Sequence, residues 1–255
     1  MQAVFLGALQ GITEWLPVSS SGHLALAQQM MGLQVPVSFD IMLHIGTLAA
    51  VVLYYWRRLL AIALAVLRLD FKSNEGKTAL LIVVASVPTA IIGFALKDFF
   101  ESMFSSMLMV GIALMITGCV LFSTKWMHGR RKVGLAESVG MGIAQGLAVA
   151  PGISRSGWTI SAGMAAGVEK EKAAEFSFIL SIPALIGAAV IEGRNIAFSG
   201  IDWWAVSAGV LVAAVVGYAS IFALMKIVKR GEFWVFAPYC WIVGLAAAAL
   251  GAGLV

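Results

Sequence analysis

The stretch Gln10-Gly11-Ile12-Thr13-Glu14-Trp15-Leu16-Pro17-Val18-Ser19-Ser20-Ser21-Gly22-His23 gathers a carboxylate, three consecutive hydroxyls and an imidazole in an otherwise apolar chain. Gln10 and Glu14 are four apart and share one face if the segment is helical. Pro17 lacks an N–H and disfavours helix at Leu16, so a helix through Glu14 should stop there. Ser19, Ser20 and Ser21 are good N-caps for the next one. A helix start with free N–H groups, hydroxyls and His23 beside it is a cradle for an anion. A second polar block, Pro151-Gly152-Ile153-Ser154-Arg155-Ser156-Gly157-Trp158-Thr159, sets a guanidinium among further hydroxyls. Arg155 offers a planar fork of donors suited to phosphate oxygens and stays charged in apolar surroundings. With Ser154, Ser156 and Thr159 it complements Ser19, Ser20 and Ser21 as a binding set for a pyrophosphate head group. Glu14, with Gln10 one turn away, could hold a divalent cation through oxygen ligands and leave positions for phosphate and water.

These residues need a frame, and composition supplies it. Of 255 residues 61% are hydrophobic and 12% charged, which makes the chain an all-α, polytopic membrane protein rather than a soluble domain. No charged or Ser/Pro-rich linker divides it, so residues 1–255 are expected to form one integral membrane domain. No basic n-region or small-residue cleavage site opens the sequence, and no cleaved signal is expected. Apolar runs at about 38–56, 79–96, 103–123, 175–191, 203–225 and 234–254 are each near the length that crosses hydrocarbon. The run 59–69 is too short to cross and should lie along the interface. Segments 1–35 and 137–166 are too broken and polar for ordinary spans and read as re-entrant helix–loop–helix units. Tyr54-Tyr55-Trp56 and Trp203-Trp204 read as interfacial anchors. Cys119 and Cys240 lie in apolar runs and read as buried thiols, with no disulfide or zinc framework.

The net charge of +4 does not point to a nucleic-acid partner, because the cations sit in short loops between spans. With both termini outside and both broken segments re-entrant, one side receives Arg57, Arg58, Arg68, Lys72, Lys77, Lys125, Arg130, Arg131, Lys132, Lys170, Lys172, Lys226, Lys229 and Arg230. The other receives only Lys97 and Arg194. By the positive-inside rule the first side is the cytoplasm. The chain also repeats itself. Gln10-Gly11 is followed by Ser19-Ser20-Ser21-Gly22 at the spacing by which Ser154-Arg155-Ser156-Gly157 follows Gln145-Gly146, and Phe39-Asp40-Ile41-Met42-Leu43-His44 parallels Phe176-Ser177-Phe178-Ile179-Leu180-Ser181. An odd number of spans separates the two broken segments, so the halves, about 1–123 and 137–255, are inverted and their loops should meet near the midplane. Superposed, Ser20 stands opposite Arg155.

A plain alternative has Glu14 and Arg155 merely neutralising each other in a broken-helix fold, the serines serving as packing and caps, and His23 bonding a backbone carbonyl. His44, Glu175 and Glu192 read as core or interface residues. The two polar blocks together, with Glu175-Phe176-Ser177-Phe178 and the order of segments over nearly the whole chain, resemble the undecaprenyl-diphosphate phosphatase family of the BacA type. That resemblance implies hydrolysis of undecaprenyl diphosphate, a polyprenyl diphosphate lipid, to the monophosphate with Mg²⁺ or Ca²⁺, recycling a cell-wall lipid carrier in the cytoplasmic membrane of a bacterium and conferring bacitracin resistance. It implies a nucleophile at Ser20, an essential arginine at Arg155, a functional histidine at His23, and an acidic motif at Gln10 and Glu14, where many members have Glu at the first position. Covalent attack by Ser20 and attack by a water it orients both remain open, and a homodimer is compatible with this reading. The competing class is a transporter or lipid flippase, since inverted repeats with broken helices are also transporter architecture.

Overall fold

A computed structural model describes residues 1–32, 37–193 and 202–253. Pro36 and Arg194, used above to place a chain break and the outer charge, lie outside them, as does the side chain of Glu192. Among the described residues there are helices and one isolated backbone bridge, Arg131 to Val168, but no strand. The re-entrant units are α1 (Gln2–Trp15) with α2 (Ser20–Met30), and α8 (Leu135–Leu147) with α9 (Arg155–Ala165). Between and after them come α3 (Val37–Tyr54), α4 (Trp56–Leu67), α5 (Asn74–Ala95), α6 (Lys97–Phe104), α7 (Met107–Ser123), α10 (Lys170–Gly193), α11 (Trp203–Arg230) and α12 (Ala237–Gly251).

All six apolar runs are helices. Five are long and apolar enough to cross a membrane by themselves, and the sixth, α3, passes that test together with α4, from which it is bent by 81°. α4 is the run expected along the interface, and the bend turns it away from the direction of α3. The short α6 has no counterpart in the sequence expectation. Pro88 and Pro183 sit inside α5 and α10, as membrane helices tolerate when neighbours re-satisfy the freed carbonyls. Cys240 is buried, its thiol donating to the Pro17 carbonyl at 3.5 Å, but Cys119 is exposed. The buried-thiol expectation is corrected at Cys119, because hydropathy cannot tell a lipid-facing side of a span from a packed one.

The two halves are built through each other. α1 packs along α11 of the second half, α8 packs along α5 of the first, and α7 and α12 pair across the middle, as α3 and α10 do. The close approaches are made by glycines spaced i, i+4. A Cβ on Gly7 would lie 2.3 Å from the carbonyl oxygen of Gly209, and one on Gly11 2.9 Å from that of Ala213. In the other half a Cβ on Gly142 would lie 2.1 Å from the carbonyl oxygen of Ala85, and one on Gly146 2.8 Å from the Ile92 side chain. These are small-xxx-small contacts, the means by which membrane helices gain dispersion energy when lipid provides no hydrophobic drive. The cationic loops gather at one end. Arg58 bonds Glu75 at 2.7 Å and Glu175 at 2.9 Å, and Arg131 bonds the backbone of Gly167 and Glu169.

Candidate active site

The first helix ends where Pro17 predicts, and α8 stops at Leu147, four residues ahead of Pro151. Leu16, ahead of Pro17, is extended at φ −66°, ψ 147° and closes α1. Ser19 caps α2, its Oγ accepting from Gly22 N at 3.4 Å, and Ser154 caps α9 in the same way, accepting from Gly157 N at 3.1 Å. Ser19 is held at φ +68°, where a side chain is strained. What holds it is the other loop: Gly152 N donates to Ser19 Oγ at 3.1 Å, and Ser156 Oγ donates to the Leu16 carbonyl at 3.3 Å. Gly152 itself has φ +88°, and a Cβ there would strike the Val110 carbonyl at 2.4 Å. The tips of the two re-entrant units therefore meet, and they meet through serine hydroxyls.

Between them lies a cavity of about 170 Å³. Its wall follows the repeat. Thr13, Glu14, Ser19, Ser20 and His44 come from the first half, and Ala148, Val149, Ser154, Arg155 and Ser181, at the equivalent positions, from the second. The halves have diverged in chemistry at these positions, since Val149 is the counterpart of Glu14 and Arg155 that of Ser20. The apolar lining, Ala148, Val149, Ile153, Ala184 and Leu185, comes from the second half.

Glu14 is the hub. Ser20 donates to its Oε2 at 2.6 Å and Gln10 Nε2 donates to the same oxygen at 3.1 Å, while Arg155 Nη2 donates to Oε1 at 2.5 Å. The Glu14 side chain is 6% exposed and that of Arg155 15%. The ion pair does not exhaust the guanidinium, because Arg155 Nη1 is buried with no partner. A buried cationic N–H left unpaired costs several kcal/mol, roughly, unless a ligand completes it. The ion pair with Glu14 by itself leaves this donor unspent, and an anion in the cavity would complete it. Thr159 lies one turn beyond Arg155 and donates to its carbonyl at 2.7 Å while its hydroxyl also meets that of Ser177. Thr159, Ser156 and Gln10 do not line the cavity and instead hold the backbone or the side chains that do.

The histidines exchange places relative to the sequence expectation. His23 does not line the cavity. Its Nδ1 meets the Ser19 carbonyl at 2.8 Å and its Nε2 the Tyr239 hydroxyl at 2.8 Å, so both ring nitrogens are occupied. Its counterpart in the second half, Trp158, likewise reaches across from α9 to α7, donating to Thr117 Oγ1 at 3.3 Å. His44, which the sequence alone assigns to the core, lines the cavity with Nε2 3.6 Å from Glu14 Oε2. The signal was present in the parallel of His44 with Ser181, but a lone histidine in an apolar run carries no direction until the helix is placed. Gln145 and Thr89 also reach the wall.

Among the described residues no three His, Cys, Asp or Glu side chains converge as a metal cage. Glu14 supplies the one carboxylate, and Gln10 stands off the cavity wall with its amide nitrogen rather than its oxygen turned to Glu14, so the expected Glu14–Gln10 pair of cation ligands is not formed. A single carboxylate fits a hard cation that takes most of its oxygen ligands from a bound phosphate and water.

Residues 3–246 match the model of the family described as bacitracin resistance protein BacA. This chain belongs to that family. It is 44% identical to an undecaprenyl-diphosphatase of Desulforapulum autotrophicum, over 98% of both chains. It is 40% identical to one of Methanosphaera stadtmanae, over 96% of this chain and 95% of that one. With one of Carboxydothermus hydrogenoformans the figures are 41%, 98% and 97%.

Proposed function

We propose that this BacA-family protein hydrolyses undecaprenyl diphosphate to undecaprenyl phosphate and inorganic phosphate in the cavity between the two re-entrant tips. The observation that carries the reading is the Ser20–Glu14–Arg155 set, in which a hydroxyl is hydrogen-bonded to a buried carboxylate beside a guanidinium with an unspent donor. The names of the relatives support the same activity. Arg155 grips the terminal phosphate through Nη1, and the α2 and α9 N-termini add partial positive charge where charge grows in the transition state. Ser20 attacks the terminal phosphorus as its O–H proton passes to Glu14 Oε2, and the P–O bond to the lipid monophosphate breaks. Water then cleaves the phosphoserine and returns the proton to Ser20. A divalent cation, when bound, would screen the diphosphate charge, with Glu14 as its ligand from the cavity wall. The isoprenoid tail leaves on the apolar, second-half side of the cavity, where Val149 is 45% exposed. Transport by the same repeat is disfavoured, because moving a lipid requires neither the serine nor its hydrogen-bonded carboxylate.

The test is phosphate release by purified protein from lipid diphosphate. Arg155→Lys, which keeps charge but loses the fork, should lower kcat/KM by about 100-fold or more. Ser20→Ala should abolish turnover, and Ser21→Ala should cost tenfold or less, roughly the worth of one hydrogen bond among several. A trapped phosphoserine at position 20 establishes the covalent route, and substantial turnover in Ser20→Ala overturns it.

A further inference from the structure

Trp15 is fully buried at the tip of α1, next to Glu14 in sequence. The Arg155 guanidinium lies over its ring, with Cζ 5.0 Å from the ring centroid. The indole edge is braced against Phe178 of α10 (ring centroids 5.3 Å apart, planes at 82°) and against α11 at Gly217, where a Cβ would come within 3.2 Å of Nε1. The indole N–H has no hydrogen-bond partner. A tryptophan kept for packing alone would be costly here, since phenylalanine would leave no buried donor unpaired. What tryptophan offers beyond phenylalanine is the more electron-rich ring face, the best aromatic partner for a cation.

We propose that Trp15 is the positioning residue for Arg155, holding the guanidinium against the diphosphate by its ring face so that Glu14 can let go of it. The ring engages the guanidinium without consuming any of its N–H donors, whereas Glu14 occupies Nη2. Hydrolysis needs the Glu14 carboxylate for the Ser20 proton, and it needs the donors of Arg155 for phosphate oxygens. A support that is neither an acceptor nor a competitor for donors allows both at once. It also spans the halves, since Trp15 rides on α1 and Arg155 on α9.

This rests on the cavity being the phosphate site, and the experiment separates the two ideas. Tryptophan at position 15 alone is replaced by mono-, di- and trifluorotryptophan, which withdraw electron density from the ring face with little change of shape. The inhibition constant of inorganic pyrophosphate against lipid diphosphate hydrolysis, and its direct binding, are then measured. Weakening should rise stepwise with fluorine number. Trp15→Leu should weaken binding by about thirtyfold and Trp15→Phe by less, the range expected of a desolvated cation–π contact. A fluorination series without a trend overturns the role of Trp15, whether or not Trp15→Leu folds. Arg155→Gln supplies the control. If it binds pyrophosphate as the parent does, the cavity is not the phosphate site; if it loses binding while the fluorinated series is flat, only the positioning role fails.

Discussion

At the residue scale the site turns on one carboxylate that serves several donors. Glu14→Gln should reduce turnover by about 1000-fold or more, because it removes both the proton acceptor for Ser20 and the protein's one cavity carboxylate. Gln10→Glu should be tolerated and should tighten divalent-cation binding, adding a second carboxylate one turn away. Metal titration after chelator treatment checks both, and equal metal dependence in Glu14→Gln and the parent would move the cation elsewhere. The two histidines should separate. His44→Leu should lower turnover by about tenfold without shifting the thermal midpoint, since His44 faces the cavity. His23→Leu should lower the midpoint along with activity, because it removes the hydrogen bond to Tyr239 that ties α2 to α12 and one of the two donors to the Ser19 carbonyl. A His23→Leu protein with an unchanged midpoint and no turnover would instead give His23 a part in the chemistry. Glu14, Ser20 and Arg155 were legible in the sequence because an ion, or a hydroxyl cluster around a proline, is out of place in an apolar chain. His44 and Trp15 were not, because what they touch is decided by helices far away in sequence.

At the element scale, helix identity and the breaks at Pro17 and Pro151 could be read from residue type and spacing, whereas helix partners could not. Hydropathy gives α1 a length but does not say that it packs along α11. The glycines at 7 and 11, and at 142 and 146, mark the close faces, yet only the placed backbones show which carbonyls they approach. Gly142→Val should be among the most damaging changes in the molecule, since a Cβ already falls 2.1 Å from the Ala85 carbonyl oxygen. Overpacking of this severity costs about 3 kcal/mol, and the variant should be lost from the folded fraction in detergent. Gly7→Val should behave alike for the equivalent reason on α11. Gly140→Ala is the control, because nothing lies within 4 Å of a Cβ there. A Gly142→Val protein as stable as Gly140→Ala would mean that the α5–α8 contact is dispensable.

At the scale of the whole molecule, the inverted order of the halves decides which face is served. The loops carrying Arg57, Arg58, Lys125, Arg130 and Lys170 share one end, which we propose, by the positive-inside rule, to be the cytoplasmic one. On that proposal the unit of α1 and α2 would dip in from the opposite face, bringing Glu14 and Ser20 with it, while the unit of α8 and α9 would enter from the cytoplasm with Arg155. Phosphate should accordingly be released outside. In sealed vesicles of known orientation, with lipid diphosphate in both leaflets and a chelator confined to one side, product should collect in the compartment that corresponds to the exterior. Release only on the cytoplasmic side would overturn the assignment.

The interlocking of α1 with α11 also sets a timetable for synthesis. α1 leaves the ribosome about 200 residues ahead of α11, the helix that receives Gly7 and Gly11. At about 5–20 residues per second the wait is roughly 10–40 s, for most of which Glu14 lacks Arg155 and throughout which it lacks the packing of α1 on α11. A lone carboxylate in hydrocarbon costs about 2.5–3.5 kcal/mol on insertion scales, so the nascent α1 should linger at the insertion machinery or the interface until its partner arrives. Residues 1–128 expressed alone should therefore be degraded, and co-expression with residues 129–255 should rescue both the fragment and the activity. The cavity wall needs α9 and α10 from the second half, so products truncated before them should be inert.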